Sequence, residues 1–355
     1  MNKTPLVSIL IPAYNAQEWL ADSLRSAVEQ TWARKEIIIV DDGSRDDTLS
    51  IARQFQSSSV QVVTQPNQGA AAARNKAYSL SQGDYIQWLD ADDLLEREKI
   101  ATQVAALTEC GTRTLLSAAW ARFMYRPRRA KFIPSPLWAD LSVVEWLTRT
   151  LENNVYMQTA TWLTSREIAE AAGPWDTRLL GDDDGEYFCR VLLASDQTKF
   201  VAGAKVFYRM AGASSLSYIG QSDRKRDAQW ISMKLHIGYL RSLADTPRVR
   251  SACCKYLQDW LVYFYPERSD LINEVQEMAK SLGGRVAAPP LSWKYSWIDR
   301  LFGRHVAKRA QRILPGIRWS IARLQDRTLF QLESHSWRST IQRHASLNSG
   351  FVRTR

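Results

Sequence analysis

The chain has 355 residues, of which 45% are hydrophobic and 24% charged, with a formal net charge of +10. This length can hold one domain of about 220 residues with a smaller segment, and the apolar fraction excludes an intrinsically disordered chain. No apolar run approaches the roughly 20 residues that span a bilayer, and the N-terminus offers no signal peptide, so we expect a cytoplasmic or peripheral protein. The four cysteines lack metal-ligand spacing, which favours reduced thiols.

The N-terminal segment predicts a strand, a helix and a second strand. Residues 6–12 form an apolar run typical of a buried parallel strand, and Ala13, Tyr14 and Asn15 follow as a loop. Between residues 16 and 30, apolar side chains recur every three or four positions, as on a helix that packs against a sheet. Residues 36–40 form the second strand. The segment therefore predicts a right-handed crossover in an open parallel sheet.

Acidic residues follow two predicted strands directly. Asp42 follows the second strand, and Asp90, Asp92 and Asp93 follow the apolar run at 85–89. Ligands of open parallel sheets bind beyond the carboxyl ends of the strands, so we expect both clusters at one edge. Carboxylates this close repel one another unless a cation joins them, and oxygen ligands favour Mg²⁺ or Mn²⁺ with substrate phosphates. The alternative is an ordinary turn and helix caps.

A third segment, residues 67–75, contains Asn67, Gly69, Arg74 and Asn75 around an alanine run. Glycine and small residues open a helix here, and its amide groups and Arg74 could meet a phosphate. The alternative is that the alanines simply favour a helix.

The order of these segments resembles the family 2 glycosyltransferases, which are nucleotide-sugar-dependent enzymes with the GT-A fold. The resemblance rests on residues 7–15, 39–44, 67–75 and 89–93. It is specific over roughly residues 5–110 and extends less tightly to about residue 220. It implies an α/β fold, with a Rossmann-like, mostly parallel sheet flanked by helices and a C-terminal helical extension.

The resemblance also implies roles for individual residues. The residues expected to bind the nucleotide sugar are Pro12, Ala13, Tyr14, Asn15, Asp42, Asn67, Gly69, Arg74, Asn75, Asp90, Ala91 and Arg209. Asp42 would accept a hydrogen bond from the base. Asp90 and Asp92 would form the DXD pair, with Asp92 nearest a Mn²⁺ or Mg²⁺ ion that stabilises the departing diphosphate as a Lewis acid.

The acceptor half should supply a base, because a sugar hydroxyl is a poor nucleophile. The resemblance places this base at Asp184, and neighbouring carboxylates would raise its pKa. Asp183 stands where glutamate is commoner and Gly185 where an aromatic residue is usual, so Asp183 is the alternative base. A second alternative is an acidic helix start capped by Asp182. One base without a covalent intermediate implies inversion of the anomeric configuration.

Residues 208–217 resemble the strand and loop that close over the donor phosphates in the family. A histidine common in that loop is absent, and Arg209 could supply the charge instead. The alternative is an arginine that only packs against the strand.

The positive charge is concentrated at the C-terminus. Residues 285–355 contain fourteen Lys or Arg and three acidic residues, a net charge of +11. Phe302, Val306, Ala310, Ile313 and Ile317 describe a basic amphipathic helix, and tryptophans accompany it. This favours docking on an anionic membrane near lipid-linked acceptors. The alternatives are packing on the catalytic domain or on another subunit, and nucleic-acid binding is disfavoured because no such motif is present.

These observations divide the chain into three expected parts. Residues 1–220 would form the GT-A domain, with a nucleotide-binding half at about 1–110 and an acceptor half at 111–220. Residues 221–284 would form a helical region with two helices, and residues 285–355 a basic, tryptophan-containing tail.

The function expected from the sequence is transfer of a sugar from a nucleoside diphosphate, with UDP favoured, to a hydroxyl acceptor in polysaccharide, glycolipid or glycoprotein synthesis. Nucleotidyl transfer is disfavoured because residues 12–15 contain no basic side chain. The other alternative is a catalytically silent nucleotide-sugar-binding or scaffold protein.

Overall fold

A computed structural model describes residues 4–210, 222–290, 293–303, 306–307, 310 and 320–333. Most of the predicted amphipathic helix at 302–317, and residues 211–217 of the predicted loop, lie outside these residues. Within the described residues, no helix has both the length and the apolarity needed to cross a membrane. The chain divides into two compact units, residues 1–122 with 131–289 and residues 123–130 with 290–355.

The strands form two sheets. In chain order the strands are β1 Val7–Ala13, β2 Lys35–Asp41, β3 Val60–Thr64, β4 Tyr85–Trp88, β5 Leu94–Leu95, β6 Thr114–Phe123, β7 Thr164–Ser165 and β8 Gln197–Arg209. The larger sheet has the order β3-β2-β1-β4-β7, with β1 to β4 parallel and β7 antiparallel to β4. The smaller sheet has the order β5-β8-β6. The predicted mostly parallel α/β sheet is confirmed.

Helices flank the larger sheet and continue beyond it. In chain order the α-helices are α1 Leu20–Val28, α2 Thr48–Arg53, α3 Ala70–Leu80, α4 Lys99–Ala106, α5 Val143–Asn153, α6 Arg166–Ala172, α7 Asp183–Leu193, α8 Asp223–Leu243, α9 Pro247–Trp260 and α10 Ser269–Ser281. Short 3₁₀ turns connect several of them, including one at Thr159–Thr161.

The central strand β1 is buried on both faces, as its mainly apolar sequence predicts. Ile9 and Ile11 belong to one core with Leu24 of α1, whereas Leu10 belongs to the other core with Ala73 of α3. This alternation follows from the period of two in a strand, and each fully buried isoleucine or leucine contributes about 1.5–3 kcal/mol to stability.

The parallel register brings the ends of three strands to one edge. Ala13 pairs with Asp41, and Leu10 pairs with Trp88 of β4. The loop after β1 and the acidic residues after β2 and β4 therefore start from the same edge of the sheet. Pro12 is half-buried and Ala13 is buried, so this loop leaves a well-packed strand end.

The described residues 222–284 contain three α-helices, where the sequence predicts two. Helices α8 and α9 contain the apolar stripes that the sequence showed, and α10 is the additional helix. Its buried residues are Leu271, Val275 and Ala279, one in every four positions. Ile272 and Met278 are partly buried against the same core, so α10 has an ordinary amphipathic stripe that the prediction of two helices left out.

Candidate active site

Asp42 shapes the loop that leads into α3. Its buried carboxylate accepts hydrogen bonds from the backbone N–H of Gly69 at 2.8 Å, the backbone N–H of Gln68 at 2.9 Å and Nε2 of Gln65 at 2.8 Å. Gly69 precedes α3 with φ of 91°, a conformation that glycine adopts without strain. Asn67 in this loop is exposed. Asp42 therefore fixes the loop at the sheet edge.

The neighbouring loop after β1 is held by the turn after β2. Asn15 has φ of 47°, its Oδ1 accepts a hydrogen bond from the backbone N–H of Arg45 at 2.9 Å, and its own N–H donates to Ser44 Oγ at 2.9 Å. Tyr14 is 47% exposed beside it. Both predicted nucleotide-binding loops therefore lie at the same edge, and an exposed aromatic ring is available there.

Arg74 joins the two acidic clusters. Its guanidinium donates to Asp90 Oδ1 at 2.8 Å and to Asp183 Oδ2 at 2.6 Å, and it lies over the ring of Trp175 at 4.4 Å. Burial opposes the charge of Arg74, but the two carboxylates outweigh burial and raise its pKa. The residue predicted to face phosphate thus connects the end of β4 to the start of α7.

Asn75, the next residue on α3, holds the segment before α7. Its Nδ2 donates to the carbonyl oxygen of Trp175 at 2.9 Å, and its Oδ1 accepts from the backbone N–H of Trp175 at 2.8 Å. The Trp175 ring stacks on Tyr187 with 4.0 Å between ring centroids. These contacts fix the aromatic ring that supports the Arg74 guanidinium.

The end of β8 holds the turn that contains Asp90, Ala91 and Asp92. The backbone N–H of Arg209 donates to Asp93 Oδ1, and Nε of Arg209 donates to the carbonyl oxygen of Asp92, both at 2.7 Å. Ala91 is buried in this turn. Arg209 is itself buried over the ring of Trp19, with 4.2 Å between Cζ and the ring centroid, and burial lowers its pKa. Arg209 therefore orders the acidic turn.

The carboxylates of this turn are electrostatically crowded. Burial, followed by the charge of Asp90, raises the pKa of Asp92 to about 6. Burial and the charges of Asp92 and Asp90 raise the pKa of Asp93 well above its usual range. A cation is the group that would relieve this repulsion.

The residues fit a divalent metal held mainly by one or two carboxylates. Asp92 is half-buried, and Nε of Arg209 donates to its backbone carbonyl oxygen. Among the described residues, no three His, Cys, Asp or Glu side chains gather as a ready-made ligand set. A cation at Asp92 would therefore take much of its shell from water and donor phosphates, as Mg²⁺ usually does.

Asp184 lies in the first turn of α7, half-buried beside the acidic turn. Burial, then the charges of Asp183 and Asp182, raise the pKa of Asp184 to about 7, against the opposing effect of Arg74. Its Oδ2 accepts a hydrogen bond from Thr159 Oγ1 at 3.2 Å. Because Asp183 is paired with Arg74, Asp184 is the carboxylate of this pair that is better able to accept a proton.

Several residues around the site gave no signal in the sequence. Thr159 contacts Asp184 from the 3₁₀ turn, Gln158 Nε2 donates to Asp93 Oδ2 at 2.5 Å, and Trp175 supports Arg74. Asp41 is also buried at the edge, and its Oδ1 has no hydrogen-bond partner in the described part of the chain. Asp41 and Asp93 do stand in the acidic motifs, but the predicted roles belong to their neighbours Asp42, Asp90 and Asp92.

Comparison with known proteins finds relatives in sequence and in fold. A sequence model of glycosyl transferase family 2 matches residues 8–168. The Escherichia coli protein named UDP-Glc:alpha-D-GlcNAc-diphosphoundecaprenol beta-1,3-glucosyltransferase WfgD is 36% identical over 103 residues, which cover 29% of this chain and 41% of that protein. The chain spans less than half the length of the first curated relatives that it matches.

Two solved structures share the fold. S. aureus TarS 1–349 in complex with UDP-GlcNAc has a TM-score of 0.61 at 15% identity, covering 78% of this chain and 80% of that chain. The mannosyltransferase PcManGT from Pyrobaculum calidifontis, in complex with GDP-Man and Mn²⁺, has a TM-score of 0.52 at 17% identity, covering 79% and 85%. The family match spans the sheet edge, Arg74 and the acidic turn, so residues 8–168 are similar to glycosyl transferase family 2, and the chain has the GT-A fold.

Proposed function

We propose that the chain transfers a sugar from a nucleoside diphosphate to a hydroxyl acceptor, with inversion at the anomeric carbon. The observation that carries this proposal is Asp184, a half-buried carboxylate whose pKa is raised to about 7. Asp183 and Arg74 connect it to Asp90 through hydrogen bonds of 2.6 and 2.8 Å. A base suited to neutral pH therefore lies beside the carboxylates that would hold the donor.

The proposed reaction is a direct displacement. The acceptor oxygen forms a bond to the anomeric carbon while its proton passes to Asp184. The bond between that carbon and the diphosphate oxygen breaks, and its electron pair leaves with the nucleoside diphosphate. When bound at Asp92 and Asp90, Mn²⁺ or Mg²⁺ would supply Lewis-acid stabilisation of that charge. A single displacement without a covalent intermediate inverts the configuration.

The donor would lie along the sheet edge. In this proposal Pro12, Ala13 and Tyr14 line the base, while Gly69 and Arg74 follow the diphosphate. Asp42 would act on the base largely through the loop it holds, since its carboxylate already accepts three hydrogen bonds. UDP is the favoured nucleotide, because TarS was solved with UDP-GlcNAc and WfgD is named for UDP-Glc.

Two variants test the donor site and the base separately. Asp92→Ala should lose Mn²⁺-dependent binding of the nucleotide, because the principal metal ligand is gone. Asp184→Asn should bind the nucleotide as the wild type does and lose transfer and donor hydrolysis by about 100-fold or more, because the general base is gone. Calorimetric titration with UDP, GDP, CDP and dTDP, with and without Mn²⁺, measures the binding.

Release of UDP from UDP-glucose or UDP-GlcNAc measures turnover. Equal nucleotide affinity in wild type and Asp92→Ala would disprove the metal assignment. Binding without any turnover in the wild type, across both donors, would favour the catalytically silent protein over the enzyme.

We also propose that residues 285–355 bring the protein to an anionic membrane, where lipid-linked acceptors are found. The second compact unit supports this reading by itself. In its helix at 320–333, Asp326 Oδ1 accepts from Arg126 Nε at 2.8 Å, and Phe330 lies 6.1 Å from the ring of Tyr125. The opposite side of that helix exposes Ile321, Leu324 and Leu332 to solvent by 54%, 65% and 62%.

An exposed apolar face of this kind indicates an interaction surface. The net charge of +11 over residues 285–355 indicates that its partner is negatively charged. Pairing with a second copy would bring two strongly positive segments together, whereas an anionic lipid surface attracts them. The apolar side chains would then enter the interface as in other amphipathic helices.

A further inference from the structure

We propose that Asp182, which Ser232 and Gln229 of α8 hold in the space left open by Gly185, is a positioning residue that keeps a negative charge beside Asp184. This inference rests on the proposed role of Asp184 as the base. It assigns a part in the reaction to a helical region that contains none of the predicted site residues.

A chain of hydrogen bonds runs from α9 to Asp182. Ser232 Oγ donates to Asp182 Oδ2 at 2.5 Å, and Gln229 Nε2 approaches the same oxygen at 3.2 Å. His236 Nε2 lies 3.3 Å from Ser232 Oγ, and His236 Nδ1 lies 3.0 Å from the hydroxyl of Tyr256. Ser232 and His236 belong to α8, and Tyr256 belongs to α9.

The direction of these hydrogen bonds follows from counting protons. Ser232 has one hydroxyl proton, which it gives to Asp182, so it must accept from His236 Nε2–H. In neutral His236, Nδ1 then accepts from Tyr256. The hydroxyl of Tyr256 keeps its proton because burial raises its pKa well above the usual range. These hydrogen bonds are therefore consistent with one tautomer of His236, and the last of them is donated by Ser232 to Asp182.

Asp182 does not serve as an ordinary helix cap. It occupies the N-cap position of α7, yet its side chain makes no capping hydrogen bond there. Its carboxylate is directed to α8 instead. As a helix cap, the carboxylate would accept hydrogen bonds from the first N–H groups of α7. Its contacts with α8 therefore need a different explanation.

Gly185 explains how Asp182 fits. A Cβ atom at Gly185 would lie 2.3 Å from Asp182 Oδ1 and 3.3 Å from His236 Cε1. Any side chain there would force the Asp182 carboxylate to shift from this position. The glycine that departs from the family pattern is thus the residue that permits the network.

The charges around Asp184 show what Asp182 contributes. Burial raises the pKa of Asp184 most, the charges of Asp183, of Asp182 at the N-cap and of Asp90 after β4 raise it further, and Arg74 of α3 lowers it. Asp182 itself faces Gln229, Ser232 and His236 of α8, with Tyr256 behind them and the Cys189 thiol nearby on α7. Of the charges that act on Asp184, Asp182 is the one held by the helical region.

Two variants and a matched control test the proposal. Asp182→Asn removes the charge, and Gly185→Ala moves the carboxylate away while keeping every charged residue. Gly238→Ala is the control, because it also adds a methyl group within a helix but meets nothing within 4 Å. Circular dichroism establishes that each variant is folded. If one of the two test variants fails to fold, the other decides.

The primary readout is the titration of Asp184 in metal-free protein, followed by carboxyl ¹³C NMR. The resonance is assigned by its absence from Asp184→Asn. We expect its midpoint to fall by about one pH unit in Asp182→Asn, to move in the same direction in Gly185→Ala and to stay in place in Gly238→Ala. A midpoint that stays in place in both test variants would overturn the inference.

The second readout is hydrolysis of UDP-glucose with Mn²⁺ across the pH range. The acidic limb of the rate profile should move to lower pH in the same two variants, because the base would ionise at lower pH. Absence of hydrolysis in the wild type would count against the proposed function alone, because the NMR titration decides the role of Asp182 without turnover.

Discussion

At the residue scale, Asp184 should lower the stability of the fold that positions it. An aspartate in an unfolded chain has a pKa of about 3.9, whereas Asp184 in the folded protein has a pKa of about 7. As pH rises from 4 to 7, the unfolded state ionises first, so stability is lost through this window and the penalty is complete above pH 7.

Asp184→Asn should therefore stabilise the protein at pH 8 and have little effect at pH 4. We expect a gain on the order of 1 kcal/mol, reduced by solvent screening because the side chain is half-exposed. Thermal unfolding in the presence of a chelator at both pH values measures it. Asp196→Asn, at an exposed ion pair with Arg113, is the control. A variant that is less stable than the wild type at pH 8 would contradict the raised pKa of Asp184.

Residue positions were predictable where they follow from strand ends. The sequence placed Asp42, Asp90 and Asp92 at one edge because parallel strands expose their carboxyl ends together. The partners of Arg74 were not predictable, since Asp183 is 109 positions away along the chain. Such a contact depends on how α3 and α7 pack, and local periodicity contains no information about it.

At the scale of elements, Arg74 fastens α3 to both the β4 end and α7. Its guanidinium is buried and pairs with Asp90 and Asp183. Removing one partner of a buried ion pair leaves uncompensated charge, which commonly costs 3–5 kcal/mol.

We expect Arg74→Ala to destabilise the protein by about 3 kcal/mol or more at pH 8, and by less at pH 5, where Asp183, whose pKa burial raises, can take up a proton. Urea unfolding at the two pH values measures the difference. Arg25→Ala is the matched control, since its pair with Asp22 is exposed and should contribute within about 0.5 kcal/mol. Equal losses of unfolding free energy in the two variants would show that Arg74 does not hold α3 to Asp90 and α7.

The elements themselves were predictable to different degrees. Mainly apolar runs predict strands β1, β2 and β4, and a broad helical stripe predicts helix α1. Helix α10 was missed although Leu271, Val275 and Ala279, with the partly buried Ile272 and Met278, recur on it at helical spacing. Strand β7 has only two residues, and it joins the sheet through pairing with β4 at Tyr85 and Ile86, which no local pattern signals.

At the scale of the whole molecule, the two compact units differ in charge and in exposed apolar surface. The net charge of the chain resides in residues 285–355, which is a property of the sequence and was predictable. The apolar face of the helix at 320–333 was not predicted, because the amphipathic stripe predicted from the sequence lies at residues 302–317. Contacts of Asp326 and Phe330 with residues 123–130 identify which side of that helix remains open.

The double variant Leu324→Asp with Leu332→Asp tests membrane docking. It leaves the contacts of Asp326 intact, removes two exposed apolar side chains and adds two negative charges. We expect at least about a tenfold loss of affinity for vesicles containing phosphatidylglycerol, because each buried leucine contributes about 1.5–3 kcal/mol. Sedimentation with vesicles measures it, and binding of the wild type should weaken with salt. Ile133→Asp, at a 74% exposed residue of the first unit, is the control and should bind as the wild type does. Undiminished sedimentation of the double variant would show that this face does not meet lipid.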